Sequence, residues 1–259
     1  MEDVIERVER EKGFHNVPPR LSRRLLDRMA SSFYAKHQFW ANLWQEWPIA
    51  GKKVLDYGCG VGDFSYELAK RGAIVSGIDV SERLIAIARR SVPPSISSQF
   101  AQRTPEFFVD DAHATHFPNN AFDFVFGNAI LHHLDLKRAF AEIARILKPG
   151  GRAAFEEPLD RHPLVRLARF VTPHARSADE KPLSFRDINL ADQFFGKVSH
   201  EEYFLLSVAA APLHLLSRSL AQATLRLLNS ADMQIFERIP LCRRNAWLTF
   251  ITLEKMKTT

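Results

Sequence analysis

The stretch Lys53–Phe64, which reads KVLDYGCGVGDF, decides the fold of this chain. Its first part is a short apolar run, Val54 and Leu55, which ends at Asp56 and is followed by glycine at every second position. Glycine permits tight turns and close backbone approach because it has no Cβ. A strand that turns through glycines into a helix leaves the first N–H groups of that helix free to bind a polar group. The stretch therefore predicts the mouth of a cofactor site.

Length and composition are those of an ordinary globular protein. The 259 residues, 46% hydrophobic and 25% charged, suffice for one large domain or for one domain with a substantial insertion. The net charge of +5 comes from Lys and Arg residues that are scattered rather than clustered. A solvated surface is therefore the main interpretation and a polyanion-binding face the alternative, and no binding to nucleic acid is predicted.

The cysteine content and the apolar runs of the sequence indicate the cellular compartment of the protein. The two cysteines, Cys59 and Cys242, are too few for a disulfide scaffold and predict a reducing compartment. The N-terminus is charged from its second residue and lacks the apolar core of a signal peptide. The uncharged stretch Tyr203–Ser217 is too short to span a membrane as a helix. A cytoplasmic location is predicted.

From Lys53 onward the sequence alternates between strand-like and helix-like segments. One helix is predicted to start at an N-cap, Ser81, and another at a cap, Asp135, with Lys148–Gly151 stopping the second. This alternation predicts an α/β fold with a doubly wound, mostly parallel sheet, in which ligands bind at the carboxyl ends of the strands. The strands predicted in this half are Val54–Tyr57, Ile74–Ile78, Phe107–Val109, Phe122–Phe126 and Arg152–Phe155.

Residues 1–50 are predicted to form a helical N-terminal lid, which the Pro18-Pro19 pair divides into two pieces. Two interpretations of the second piece stay open. Either its aromatic face packs against the edge of the sheet, or the segment covers the cofactor or substrate with Tyr34 and His37 pointing inward. The aromatic side chains of that face are Phe33, Trp40, Trp44 and Trp47.

The second half of the chain is less regular, and residues 51–259 are predicted to be one domain. Pro158–Pro182 is rich in Pro, His and Arg and is predicted to be a long loop, so that residues 158–185 form a substrate loop. A helical insertion that opens at Pro212 is predicted within residues 209–240, before the last strand. The remaining predicted elements are a helix over Phe185–Phe195 and strands over Lys197–Leu206 and Trp247–Leu253.

Acidic residues at the predicted strand ends separate the candidate cofactors. Asp79 ends the second strand, where a carboxylate binds the ribose hydroxyls of NAD and of S-adenosylmethionine alike. The spacing of Asp56 from Gly58, Gly60 and Gly62 differs from the G-x-G-x-x-G of dinucleotide sites. An acidic residue two positions before the first glycine is able to hold an ammonium group, which NAD lacks. The pattern therefore favours S-adenosylmethionine.

Four segments resemble class I S-adenosylmethionine-dependent methyltransferases, in particular bacterial small-molecule enzymes. They are VLDYGCGVGDF, GIDVSERLI, VDDAHATHFPNNAFDFVFGNAILHHL and ARILKPGGRAAFEEP, and together they cover roughly residues 50–158. The resemblance implies a Rossmann-like sheet of seven strands whose last strand is antiparallel. It also implies S-adenosyl-L-methionine as the cofactor and S-adenosyl-L-homocysteine as the product.

By the same resemblance, the cofactor contacts are expected at four strand ends. Asp56 and the loop behind it would hold the methionine end of the cofactor. Asp79 would hold the ribose and Asp111 the adenine amino group, while Asn128 and Ala129 would lie below the sulfonium. The predicted cofactor-binding residues are Asp56, Gly58, Cys59, Gly60, Gly62, Asp79, Val80, Asp110, Asp111, Ala112, Asn128 and Ala129.

Catalytic and acceptor residues follow from the chemistry of methyl transfer. The reaction is an in-line displacement, so positioning dominates, and a general base is needed only where a hydroxyl must lose its proton. His132 and His133 follow the fourth strand and are the candidate bases, with His133 either structural or cofactor-facing. Alternation along the fifth strand sends either Glu156 or Glu157 towards the site. The predicted catalytic residues are His132, His133 and Glu157, and the predicted substrate contacts are Tyr34, His37, His162 and Arg166.

No metal is predicted, because the Cys and His spacing of a zinc site is missing and the two His pairs lack a third ligand. The leading function is methylation of a small molecule at a hydroxyl oxygen. The alternatives are C-methylation of a quinone-like or lipid-linked acceptor and a catalytically idle cofactor-binding protein. The basic-faced segment 212–229 is predicted either to pack as an ordinary insertion or to contact a membrane surface. Gly127–Ile130 lacks the motif with which nucleic acid methyltransferases clamp a flipped base.

Overall fold

The computed structural model describes residues 4–16, 38–91, 104–171, 177 and 179–257. Three parts of the predicted lid, Phe33, Tyr34 and His37, and the Pro18-Pro19 break lie outside these residues.

Seven strands in the described residues form one mixed sheet. They are Lys53–Tyr57 (β1), Ile74–Asp79 (β2), Glu106–Val109 (β3), Phe122–Asn128 (β4), Leu147–Pro158 (β5), Lys197–Tyr203 (β6) and Leu248–Glu254 (β7). Their order is β3-β2-β1-β4-β5-β7-β6. Strands β1 to β5 pair in parallel, and β7 is antiparallel to both of its neighbours. The predicted doubly wound sheet with an antiparallel last strand is confirmed.

The helices of the described residues flank this sheet. They are Val4–Asn16 (α1), Gln38–Glu46 (α2), Asp63–Lys70 (α3), Glu82–Arg90 (α4), Leu136–Ile146 (α5), Pro163–Val171 (α6), Phe185–Asn189 (α7) and Arg218–Arg238 (α8). Both predicted caps are confirmed, since Ser81 accepts a hydrogen bond from the Leu84 N–H and Asp135 accepts one from the Arg138 N–H. In this part of the chain, no helix combines the length and the apolar character that crossing a bilayer requires.

Two local predictions are wrong, and a third holds in part. Lys148–Gly151 follows directly on the end of α5 at Ile146, as predicted, but β5 starts at Leu147 rather than at Arg152. Pro158–Pro182 is not a continuous loop, since it contains α6. The last long helix begins at Arg218 rather than Pro212, because Pro212 lies in a 3₁₀ segment, Ser207–Leu215.

The aromatic face of α2 packs on the sheet. The Trp47 ring stacks on Phe124 at a centroid distance of 5.6 Å, and Trp40 meets Phe126 edge-on at 6.0 Å. Trp40 and Trp47 are both buried, and full burial of a large apolar side chain stabilises a fold by about 1.5–3 kcal/mol. α2 therefore belongs to the core, and its rings pack on the face of the sheet at the central strand β4 rather than at the predicted edge.

Candidate cofactor site

A cavity of about 320 Å³ opens at the carboxyl ends of β1, β2 and β4. This is the edge at which parallel α/β sheets bind ligands, and the volume falls within the range of small-molecule sites, about 300–1,000 Å³. The predicted cofactor residues that line it are Gly58, Gly60, Asp79, Val80, Asp110, Asp111, Ala112 and Ala129. Those that do not line it are Asp56, Cys59, Gly62 and Asn128.

The glycine loop brings the backbone against this cavity. Gly58 has a positive φ of 79°, and a Cβ there would lie 2.6 Å from Cγ1 of Ile130. Gly60 also has a positive φ, 54°, but a Cβ there would meet no atom within 4 Å. Gly62 is different, because a Cβ there would press on the Phe107 ring at 2.8 Å. Gly58 and Gly60 therefore shape the cavity, whereas Gly62 serves packing.

Asp79 is fixed by the loop that it faces. Its Oδ2 accepts a hydrogen bond from the Gly60 N–H at 3.0 Å, and its Oδ1 accepts one from the Ser81 N–H at 2.8 Å. Burial raises the pKa of the Asp79 carboxyl, against these backbone hydrogen bonds, which lower it. The carboxylate is thus held at the cavity wall in the place where a ribose is predicted to bind.

Asp111 is held by a histidine of defined tautomer. His113 Nε2 accepts a hydrogen bond from the Asp135 N–H at 3.0 Å, so the ring proton lies on Nδ1 and is donated to Asp111 Oδ1 at 2.8 Å. Burial raises the pKa of Asp111, but the hydrogen bonds from His113 outweigh it and leave the pKa below its usual range. Asp111 is therefore an ionised acceptor at the cavity wall, as an adenine amino group requires.

Asp56 does not reach the cavity. Its buried carboxyl accepts a hydrogen bond from Ser65 Oγ at 2.5 Å. Burial raises the pKa of Asp56 to about 7, against the Ser65 hydrogen bond, which lowers it. Cys59 is buried as well, and burial raises the pKa of its thiol. The sequence pattern located the strand end correctly, but the structure turns the Asp56 side chain beneath the loop rather than towards a ligand.

Helix α1 closes the cavity from the side opposite the sheet. Its residues Arg7, Val8, Glu11 and His15 line the cavity. The helix is fastened at its middle and at its C-terminal end, since Arg10 donates two hydrogen bonds of 2.9 Å to the Asp179 carboxylate and Ser81 Oγ donates to Asn16 Oδ1 at 2.6 Å. Sequence reasoning missed these lining residues. The spacing of Glu11 and His15, one helical turn apart, was the available signal.

A buried carboxylate organises the turn after β4. Glu157 Oε1 accepts hydrogen bonds from the N–H groups of Ile130 at 2.9 Å and Leu131 at 2.7 Å. Its Oε2 lies 2.7 Å from Nδ1 of His132, which is also buried. The predicted catalytic Glu157 therefore does not line the cavity but positions His132, with the imidazole proton on Nδ1 facing the carboxylate.

Residues 55–155 match the family model described as "Methyltransferase domain". They form a methyltransferase domain. The cofactor of this domain is S-adenosyl-L-methionine. The residues present fit that cofactor, because the open side of Gly60 admits a ligand against the backbone, and Asp79 and Asp111 supply acceptors for hydroxyl and amino groups.

Curated relatives match the methyltransferase domain over part of their length. The 2-methyl-6-phytyl-1,4-hydroquinone methyltransferase of Synechocystis is 41% identical over 103 residues, which is 39% of this chain and 30% of that protein. The ubiquinone biosynthesis O-methyltransferase of Coxiella burnetii is 35% identical over 113 residues, 43% of this chain and 45% of that one. The chain thus spans less than half the length of these relatives.

Solved structures share the fold. Phosphoethanolamine N-methyltransferase 2 of Haemonchus contortus, in complex with S-adenosyl-L-methionine, superposes with a TM-score of 0.60 at 21% identity, over 85% of this chain and 52% of that chain. A methyltransferase of Methanosarcina mazei superposes with a TM-score of 0.55 at 20% identity, over 86% of this chain and 99% of that chain.

His133 faces the cavity of the methyltransferase domain, whereas His132 is not among its lining residues. His133 Nδ1 lies 3.2 Å from Glu11 Oε2 of α1. Burial lowers the pKa of His133, against the Glu11 carboxylate, which raises it. Of the two histidines predicted after the fourth strand, His133 is thus the one at the cavity, and His132 is the one held by Glu157.

The two described residues predicted to contact substrate do not reach the cavity. His162 is buried, with Nε2 2.8 Å from the Leu205 carbonyl oxygen and Nδ1 accepting a hydrogen bond from the Val165 N–H at 3.4 Å. Nδ1 therefore serves the first turn of α6, and Nε2 ties that turn to the segment after β6. Arg166 is exposed on the outer face of that helix. Neither residue is brought to the cavity, because a helix stands where a loop was expected.

Proposed function

We propose that this chain transfers a methyl group from S-adenosyl-L-methionine to a hydroxyl oxygen of a small-molecule acceptor. The observation that carries the proposal is the buried His132–Glu157 pair immediately beside His133, which lines the cofactor cavity. Such a pair supplies the base that a hydroxyl acceptor needs in order to lose its proton.

The residues around the cavity divide the chemistry between positioning and proton transfer. S-adenosyl-L-methionine supplies an electrophilic methyl group. The glycine loop and Asp79 hold the donor in place, which lowers the barrier by fixing the attack geometry. His132, whose Nδ1 proton is held by Glu157, keeps the lone pair of Nε2 for a proton, and the acceptor hydroxyl would reach it past His133, which lines the cavity. A positioned base of this kind contributes about 10²–10⁴-fold in rate.

A phenolic or quinol hydroxyl is the acceptor class that we propose. The names of the two relatives, one acting on a hydroquinone and one an O-methyltransferase of ubiquinone biosynthesis, support this class. C-methylation of a quinol ring remains the alternative function, because one of these relatives is named only as a hydroquinone methyltransferase.

A labelled-methyl assay tests the proposal. With methyl-labelled S-adenosyl-L-methionine, a simple quinol should gain the label as a methyl ether, and the fully methylated ether of the same quinol should gain none. Mass spectrometry and NMR of the product distinguish an ether from a ring methyl group. A ring-methylated product would favour C-methylation. Heat of binding with S-adenosyl-L-homocysteine, but no product from any acceptor, would favour an idle cofactor-binding protein.

A lipid surface is the partner that we propose for the edge of the sheet that carries the cavity. On α6, four apolar side chains that share one face are exposed, among them Leu167 at 60% and Phe170 at 83%. Arg161 and Arg166 are exposed beside them. Apolar side chains flanked by arginines suit the interface of a bilayer that contains anionic lipid. Among the side chains of segment 212–229 that the structure describes, the large apolar ones that are exposed are Leu216, Leu220 and Leu227.

Vesicle co-sedimentation measures this contact. The chain should co-sediment with anionic vesicles at low salt, and the double change Leu167→Ser and Phe170→Ser should reduce the bound fraction several-fold. Ile74→Ser is the matched control, because Ile74 is an exposed apolar residue at the start of β2, on the opposite edge of the sheet. Equal binding of all three proteins, or no binding of the native chain, would remove the membrane partner.

A further inference from the structure

Three side chains of the types that bind metal ions meet at the cofactor cavity, two from α1 and one from the turn after β4. Glu11 and His15 lie one turn apart on α1, and His133 lies in the turn after β4. One ligand atom from each is within 4.8 Å of the others. All three residues line the cavity, so they face the same space. The fold, rather than any sequence motif, therefore creates this His-carboxylate cluster.

The cluster contains buried polar atoms without hydrogen-bond partners. Glu11 is only 6% exposed, and its Oε1 accepts a hydrogen bond from Ser177. Its Oε2 and the Nδ1 of His133 are both buried and lie 3.2 Å apart as an ion-pair contact, but neither makes a hydrogen bond within the described residues. Buried polar atoms are nearly always satisfied in folded proteins. A ligand at this position would account for both atoms at once.

The distances match the edges of a metal coordination sphere. Glu11 Oε2 lies 3.2 Å from His133 Nδ1 and 3.4 Å from His15 Nε2. In a tetrahedral site with zinc–ligand bonds of about 2.0–2.2 Å, neighbouring ligand atoms lie about 3.3–3.5 Å apart. We propose that Glu11, His15 and His133 bind a divalent transition-metal ion.

The donor set selects the class of ion. Two imidazole nitrogens and one carboxylate oxygen suit Zn²⁺ and its neighbours in the first transition row, whereas Mg²⁺ and Ca²⁺ prefer oxygen ligands throughout. Asp79 also lines the cavity and adds negative charge on that side. A second set of ligand atoms includes His133 with Glu180, but the Glu180 carboxylate already accepts a hydrogen bond from Arg169 at 2.5 Å. The cluster with Glu11 is therefore the better site.

The ion would join α1 to the turn after β4. Two ligands belong to α1 and the third to the turn after β4, so the bound ion fastens α1 over the cofactor cavity. Three protein ligands leave at least one coordination position open, as metal sites that bind a further ligand do. The inference does not depend on the acceptor, since it concerns residues that no methyl acceptor needs to touch.

Metal binding to the full chain tests this site. After treatment with a chelator, the protein is titrated with ZnCl₂ in a calorimeter, and with CoCl₂ to record the visible absorption that Co²⁺ gains from nitrogen ligands. One ion should bind per chain. Glu11→Gln and His15→Gln should each weaken Zn²⁺ binding by at least about 100-fold, because loss of an outer-shell partner alone costs 10- to 100-fold.

The controls separate a built site from ordinary histidine affinity. His200→Gln removes another histidine that faces a carboxylate, with Nδ1 2.5 Å from Glu202 Oε1, and it should leave Zn²⁺ binding unchanged. Circular dichroism of each variant establishes that it is folded, and His15, a partly exposed residue on α1, is the substitution least able to disturb the core. The proposal is overturned if the native chain does not bind the ion, or if the Glu11 and His15 variants bind as the native chain does. Equal weakening by His200→Gln would overturn it as well.

Discussion

Replacing Asp79 with alanine should weaken the binding of S-adenosyl-L-homocysteine by at least about 100-fold. The Asp79 carboxylate holds the Gly60 N–H and, in the proposed complex, two ribose hydroxyls. Hydrogen bonds to a charged group each contribute about 1.5–3 kcal/mol, so the loss of two costs about 3–6 kcal/mol. Since about 1.4 kcal/mol corresponds to a tenfold change, the lower bound is about 100-fold. Isothermal calorimetry measures the change directly.

Asp123→Ala is the matched control for this prediction. Asp123 also accepts a hydrogen bond from a backbone N–H, that of Lys53 at 2.9 Å, and is paired with Lys148 Nζ at 2.8 Å. It lies near the start of β4, at the edge of the sheet opposite the cavity. The affinity for S-adenosyl-L-homocysteine should be unchanged in this variant. Micromolar affinity retained by folded Asp79→Ala would place the ribose elsewhere.

Replacing Glu157 with glutamine should produce the second large effect. It should lower the turnover number and leave the affinity for the cofactor unchanged. Glu157→Gln keeps an oxygen for the N–H groups of Ile130 and Leu131, so the turn should survive. The new amide NH₂ faces His132 Nδ1 and forces the ring proton onto Nε2, where the imidazole no longer accepts a proton. The turnover number should fall by about 10²–10⁴-fold, the range for the loss of a general base and of its orienting carboxylate.

Glu156, which precedes Glu157 on β5, provides the control for this prediction. Glu156 is also fully buried on β5, and its Oε2 accepts a hydrogen bond from Trp40 Nε1 at 2.7 Å. Burial raises its pKa well above the usual range, against the Trp40 hydrogen bond, which lowers it, and glutamine keeps an oxygen that accepts from Trp40. Glu156→Gln should therefore leave turnover unchanged. Equal turnover of the Glu157→Gln variant and the native chain, measured with the acceptor from the labelled-methyl assay, would leave positioning alone as the source of catalysis.

Some of the fold followed from local pattern. The run from Val54 to Gly62 and the Asp79 strand end were readable because strand period, glycine spacing and caps act over a few residues. The same logic failed at α6. There the sequence is rich in Pro, His and Arg, yet a helix forms, and His162 caps its first turn through Nδ1 while Nε2 contacts the Leu205 carbonyl oxygen. Composition did not reveal this, because tertiary contacts override weak local preferences.

Side-chain direction at the site was also beyond local pattern. Asp56 and Asp79 end neighbouring parallel strands, and the sequence treats them alike as acidic strand ends. Only the packing of α3 turns Asp56 towards Ser65 and leaves Asp79 at the cavity. Likewise, alternation left Glu156 and Glu157 undecided, and the contacts of Trp40 and His132 assign one to packing and the other to the turn after β4.

By itself, the sequence determined the sheet, the position of the cofactor loop and the cofactor, because each depends on residues close together in the chain. Tertiary structure alone decided three things. They are which face of the glycine loop lines the cavity, that α1 closes the cavity, and that Glu11 and His15 meet His133. The physical reason is that these residues are far apart in the sequence. More than a hundred residues lie between α1 and the turn after β4, and no periodicity within either segment records a contact that only the folded sheet creates.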